Sequence, residues 1–167
     1  MILILMGVVG AGKTTAGRLL AQQLQWKFAD ADDFHPASNI DKIRQGIPLS
    51  GDDRRPWLKL LRASIADWNS AGVSVVLACS ALKESYRQEL TTGPEVRFVY
   101  LKGSPDLIAH RLRSRQGHFA DGQILVSQIA DLEEPQAAIT VDVDKPPEQI
   151  VTEIREKLDH SPQVSHT

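Results

Sequence analysis

The feature that most narrows the fold is a turn near the N-terminus, Gly7-Val8-Val9-Gly10-Ala11-Gly12-Lys13-Thr14-Thr15. It follows a continuous apolar run, Met1 to Met6, and precedes a segment in which Ala16, Leu19, Leu20 and Leu24 share one helical stripe. The turn matches G-x-x-x-x-G-K-[ST] in full, in the strand–turn–helix setting that this pattern requires. An apolar run stopped by such a turn predicts a strand buried on both faces of a parallel sheet. The glycines let consecutive backbone N–H groups turn inward around a phosphate, and the helix that follows adds its positive end. Gly7, Gly10, Ala11, Gly12, Lys13, Thr14 and Thr15 therefore form the expected nucleotide site. Lys13 supplies a mobile charge to the β- and γ-phosphates, and the Thr14 hydroxyl is the expected magnesium ligand.

Strands and helices alternate along the rest of the chain. Further strands are predicted at Trp26–Ala29, Val73–Cys79, Val96–Leu101 and Ile139–Val143. Helices are predicted up to Gly46, from Pro56 to Gly72, over Lys83–Leu90, Pro105–Arg115 and Ile124–Leu132, and from Pro146-Pro147 onward. The expectation is an α/β fold, a five-stranded parallel sheet with helices on both faces. One domain spans 1–159 and a polar tail spans 160–167, since 167 residues suffice for a single core. The net charge of −2 gives no basic field for nucleic acid or an anionic membrane. No apolar run approaches the roughly 20 residues of a membrane helix. The lone Cys79 excludes an intramolecular disulfide, and a motif starting at Gly7 leaves no room upstream for a leader, so a cytoplasmic location is expected.

In such sheets ligands bind at the carboxyl ends of the strands. The phosphate motif alone indicates a nucleotide, not a reaction. The chain has no N-K-x-D guanine signature, and its third strand ends in Cys79-Ser80 with no Walker-B aspartate. Carboxylates occur instead after the second strand, in Asp30-Ala31-Asp32-Asp33-Phe34-His35. On an extended segment Asp30 and Asp32 would point the same way, with Asp33 turned outward. One could hold magnesium and the other accept a proton from an attacking hydroxyl; a solvated acidic loop with Asp33 as a helix cap is the alternative. Arg54 and Arg55, expected just before a helix, suit an anionic substrate or ion pairs with Asp52 and Asp53. Ser80 and Lys83 follow the third strand. Cys79 reads as a small buried hydrophobe. Arg111 and Arg115 share a helix face before Gln116–Gly122, which reads either as a lid closing over the nucleotide, about 111–122, or as a solvated basic surface.

These residues resemble the gluconate kinases over nearly the whole chain, from Met6 to about Leu158. The resemblance rests on MGVVGAGKTT, DADDFHPASNIDKIRQGIPLSGDDRRPWL, CSALKESYR, FVYLKG and RLRSRQGHF, and the second of these is the most specific. It implies a nucleoside-monophosphate-kinase-like P-loop fold, and transfer of the γ-phosphoryl group of ATP to the 6-hydroxyl of D-gluconate with magnesium, commonly in a homodimer. By matching position it implies Lys13 and Thr14 for phosphate and Mg2+, with Asp30 as second metal residue. Asp32 is implied for the acceptor hydroxyl, His35, Arg54 and Lys83 for substrate, and Arg111 and Arg115 for the lid; His118 is a further candidate for the substrate carboxylate. Three positions depart from the family pattern: Ala11 replaces a usual serine, Ala31 a usual glycine, and Ala120 a usually larger residue. None removes a charge. A shikimate kinase also carries D-x-D after its second strand but is expected to have a glycine-rich turn where this chain has Ser80-Ala81-Leu82-Lys83. A nucleotide-binding module without transfer activity is the non-enzyme alternative.

Overall fold

The computed structural model describes residues 1–114 and 119–160, without the side chains of 119–121. Five strands, β1 (Ile2–Met6), β2 (Lys27–Asp30), β3 (Val75–Ala78), β4 (Val96–Lys102) and β5 (Ile139–Asp142), form one sheet in the order β2-β3-β1-β4-β5. Every pairing is parallel. In the centre, β1 is fully buried, and its period of two divides its side chains between two cores. Leu3 and Leu5 meet Ala16 and Leu20 of α1 (Lys13–Leu24), Ile108 and Leu112 of α5 (Pro105–Ser114), and Ile150, Val151 and Ile154 of α7 (Pro147–His160). Ile2, Ile4 and Met6 meet Trp57, Leu58, Leu61 and Ile65 of α3 (Gly51–Ser70) and Leu90 of α4 (Glu84–Leu90). Each large aliphatic side chain so buried contributes about 1.5–3 kcal/mol. No helix among the described residues is long and apolar enough to cross a membrane.

Two boundaries differ from the sequence reading in ways that matter for the site. First, α3 begins at Gly51, not Pro56. Ser50 and Asp53 form a reciprocal capping box: Asp53 N–H donates to Ser50 Oγ at 3.1 Å, and Ser50 N–H donates to Asp53 Oδ2 at 2.9 Å. Pro56 lies inside the helix, where its missing N–H forfeits a bond to the Asp52 carbonyl. Arg54 and Arg55 are therefore helical residues with fixed directions. The Asp53 carboxylate also accepts from Lys42 Nζ, tying α2 (Ala37–Arg44) to α3. Those bonds, first to Lys42 and then to Ser50, hold Asp53 down at about 2, so the box keeps its charge into acid. Second, α6 (Phe119–Asp131) starts five residues ahead of Ile124, continuing through Gly122. Of the expected lid, Arg115 and His118 lie outside the described residues, as does the tail from 161.

Replacement of Ser50 by Ala removes one half of the box and should lower unfolding stability by about 0.5–2 kcal/mol. Chemical denaturation of the two proteins measures this; equal midpoints would mean that the box does not hold the start of α3.

Candidate active site

Between β1 and α1 the glycine-rich loop turns back on itself, with Ala11 N–H bonded to Val8 O at 3.1 Å. Gly10 has φ 82, and a Cβ there would stand 3.0 Å from Leu112. Gly12 caps α1 at φ 91 with open space around it, so its backbone angle alone demands glycine. Lys13 Nζ donates to Val8 O at 3.0 Å, which lays the side chain over the loop. Thr14 Oγ1 donates to Asp30 Oδ2 at 2.9 Å. Asp30 ends β2 in register with Ala78 of β3, so it supplies at the sheet edge the carboxylate that β3 lacks.

Two cavities adjoin this loop. One, of about 460 Å³, is lined by Gly10, Gly12, Thr15, Arg111, Asp144 and Pro146. Arg111 there donates to the Val143 carbonyl. The other, of about 320 Å³, is lined by Lys13, Thr14, Asp30, Asp32, His35 and Arg54 among others. Asp32 reaches it by a different route from the extended alternation expected. Residues Ala31–Phe34 form a 3-10 turn, and Asp30 Oδ1 accepts from Asp32 N–H at 3.0 Å. Asp33 is absent from the lining, and the N-cap of α2 is Pro36 rather than Asp33. The Asp32 carboxyl is open to the cavity, yet surrounding protein and then the charge of Asp30 push its pKa above the ordinary carboxylate value, against the pull of Lys13. Ala31 is buried, and its carbonyl accepts from Trp57 Nε1 at 2.7 Å. Cys79 also lines the cavity, but burial pushes its thiol up to about 12, so no thiolate forms near neutrality.

The two substrate cations named from the sequence are not equivalent. Arg54 lines the cavity and forks onto Asp131 Oδ2 with both terminal nitrogens at 3.2 Å, with Tyr86 Oη 3.3 Å away. Lys83 is not in the lining; its Nζ stands 3.7 Å from Asp131 Oδ1. Arg55 pairs with Asp52 on the exposed surface at 3.6 Å. Sequence reasoning missed Asp131 and a second α6 residue, Gln128, whose Oε1 accepts from Val9 N–H of the phosphate loop at 2.6 Å. The available signal was spacing: Ile124, Gln128 and Asp131 share one helix face, so two polar groups occupy the stripe that Ile124 begins.

The sequence model of the family described as Shikimate kinase matches residues 9–159. The thermoresistant gluconokinase of Escherichia coli (strain K12) is 45% identical, over 90% of this chain and 89% of that one. A gluconokinase structure from Sinorhizobium meliloti 1021 superposes with a TM-score of 0.81 at 36% identity, covering 96% of this chain and 97% of that one. The chain belongs to the gluconokinase family. A sugar kinase structure from Janibacter sp. HTCC2649 shares the fold with a TM-score of 0.87 at 40% identity, over 99% of this chain and 98% of that one. Membership in this kinase family brings ATP use with it, and the gluconokinases form a branch of the wider shikimate kinase group.

The raised pKa of Asp32 carries a stability consequence. In the pH range between the ordinary carboxylate value and the raised folded value, the unfolded chain releases the proton and the folded one keeps it. Stability therefore falls as pH rises through that window and stays lower above it. Asp32→Asn should raise the thermal midpoint at neutral pH, with the gain shrinking as pH drops below the window. A midpoint gain independent of pH would contradict the assignment.

Proposed function

We propose that this gluconokinase-family chain transfers the γ-phosphoryl group of ATP to the 6-hydroxyl of D-gluconate, giving 6-phospho-D-gluconate and ADP. The observation that carries the reading is one cavity, in front of the phosphate loop, that contains both a proton-seeking carboxyl, Asp32, and a guanidinium, Arg54. The first suits an attacking hydroxyl and the second suits a carboxylate. In the proposed step Asp32 accepts the hydroxyl proton as the oxygen attacks the γ-phosphorus. The bond between that phosphorus and the β–γ bridging oxygen breaks, and its electron pair leaves with ADP. Lys13 neutralises charge on the β- and γ-oxygens. Arg111, which lines the other cavity beside the loop, and Arg115 serve the nucleotide as part of a lid of about 111–122, and His118 contacts the substrate.

The Thr14 hydroxyl and the Asp30 carboxylate form a hard oxygen pair 2.9 Å apart, a donor set that fits Mg2+ completed by phosphate oxygens and water. When bound, the ion screens phosphate charge during transfer. Intracellular ATP supports a cytoplasmic site of action.

A coupled ADP-release assay over sugar acids, shikimate and nucleoside monophosphates tests the reading. Gluconate should be the preferred acceptor; turnover with shikimate and none with gluconate would overturn it. Arg54→Lys keeps charge but loses the planar fork. It should lower kcat/KM for gluconate roughly ten- to a hundredfold, with the KM for ATP unchanged. Asp131→Asn should shift gluconate kinetics in the same direction by releasing the fork. Damage confined to ATP binding would move Arg54 to the nucleotide site.

A further inference from the structure

One wall of the acceptor cavity has its polarity set from behind. His35 lies flat on Trp57, with ring centroids 4.6 Å apart and 11° between the planes. Its Nδ1 stands 3.2 Å from Asn39 Nδ2. The same Asn39 nitrogen donates to the main-chain carbonyl of Asp53 at 2.7 Å. A carbonyl oxygen can only accept, so the Asn39 amide cannot be turned over: its own oxygen would then face the Asp53 oxygen at that distance with no proton between them. The two N–H groups of the amide thus serve Asp53 O and His35 Nδ1. With its Nδ1 lone pair so used, a neutral imidazole carries its proton on Nε2. Asn39 is 2% exposed, and its main-chain N–H donates to Pro36 O at 2.9 Å, which fixes the backbone that carries the amide. The charged ring would set N–H against N–H at Nδ1. Burial, and then the charge of Arg54, also disfavour it, holding the His35 pKa at about 4.

We propose that Asn39 is a positioning residue for acceptor recognition: through Nδ1 it locks His35 as the Nε2–H tautomer, so that the cavity presents a neutral donor selecting a hydroxyl or carboxylate oxygen. The inference rests on the proposed sugar-acid reading for the identity of that oxygen. His35 and Arg54 line the same cavity and both donate. An acceptor oxygen bound in this cavity can take a hydrogen bond from either of them. An ammonium group at the same point meets donors and a guanidinium charge, and is rejected.

The test uses the full chain labelled with 15N-histidine and long-range 1H–15N correlation, with His35→Gln identifying the resonances. Wild-type His35 should show the Nε2–H tautomer at neutral pH. In Asn39→Ala a fraction of Nδ1–H should appear. The KM for gluconate should rise about three- to tenfold, as for a neutral hydrogen bond made less often, while kcat and the KM for ATP hold. His35→Gln, which keeps an N–H donor, should retain more gluconate affinity than His35→Leu. A wild-type Nδ1–H tautomer or imidazolium at neutral pH would overturn the proposal. So would a raised gluconate KM in Asn39→Ala with the tautomer unchanged, or a changed tautomer with the KM unmoved. The wild-type spectrum needs neither a variant nor a substrate. A failure of gluconate turnover is therefore distinguishable from a failure of the lock.

Discussion

Burial of β1 between two apolar layers leaves its carboxyl end as the place where the central chain emerges with backbone N–H groups to spare. The strand cannot turn there with ordinary residues, because the loop must pass through positive φ at Gly10 and Gly12 while α5 packs close against it. Parallel pairing then fixes what stands beside the loop. Register with β3 sets Asp30 at the same edge, and Thr14 binds it across the gap. A phosphate loop and its acidic partner are in this sense one consequence of a buried parallel strand with neighbours on both sides.

The acceptor cavity is closed by a different element. α6 reaches the loop through Gln128 and Val9, and reaches α3 through Asp131 and Arg54. One helix therefore contacts both the phosphate-binding side and the cation of the acceptor side. Asp131 gives Arg54 a planar partner and leaves the guanidinium stacked toward Tyr86, with the cation 5.8 Å from the ring centroid. An arginine held in this way loses little further side-chain freedom when a carboxylate arrives, which is the physical gain of preorganisation. Lys83 meets the same Asp131 carboxylate and is not part of the cavity lining.

What could be read in the sequence was local. The phosphate loop, the parallel sheet and the apolar stripe of α7 depend on spacing within one or two turns of chain; position along the chain suggested the cations, and family resemblance supplied His35. Asp30 and Asp32 do line one cavity, but not for the reason the extended reading gave, because a 3-10 turn and not an extended strand directs Asp32. The start of α3 was hidden by a stronger local cue: Pro56 looks like a first-turn proline, while the Ser50–Asp53 box begins six residues earlier, in a run that also holds Asp52, Arg54 and Arg55. Spacing could mark Asp131 and Gln128 as inward-facing, but not what they would meet. Their partners lie 77 and 119 residues away, and no periodicity encodes which distant residue a polar side chain will meet.

The electrostatics of the cavity follow from the same enclosure. Surrounding protein disfavours charge, joined at Asp32 by the charge of Asp30, so Asp32 is pushed up, His35 down to about 4 and Cys79 up to about 12. All three shifts favour the neutral form. For Asp32 the effect is a carboxylate that binds a proton more readily, which suits a base. For His35 it is a ring that donates without adding charge, and for Cys79 it is an inert wall. Arg54 stands beside these groups as a cation paired with Asp131. A dianionic phosphoryl group and a monoanionic sugar acid would repel each other in such a volume unless fixed cations met each separately. Lys13 at the loop and Arg54 on α3 are held by different elements, Val8 for the first and Asp131 for the second. Each anion can therefore be met by its own cation, with the neutral donor of His35 left to read a hydroxyl or carboxylate oxygen.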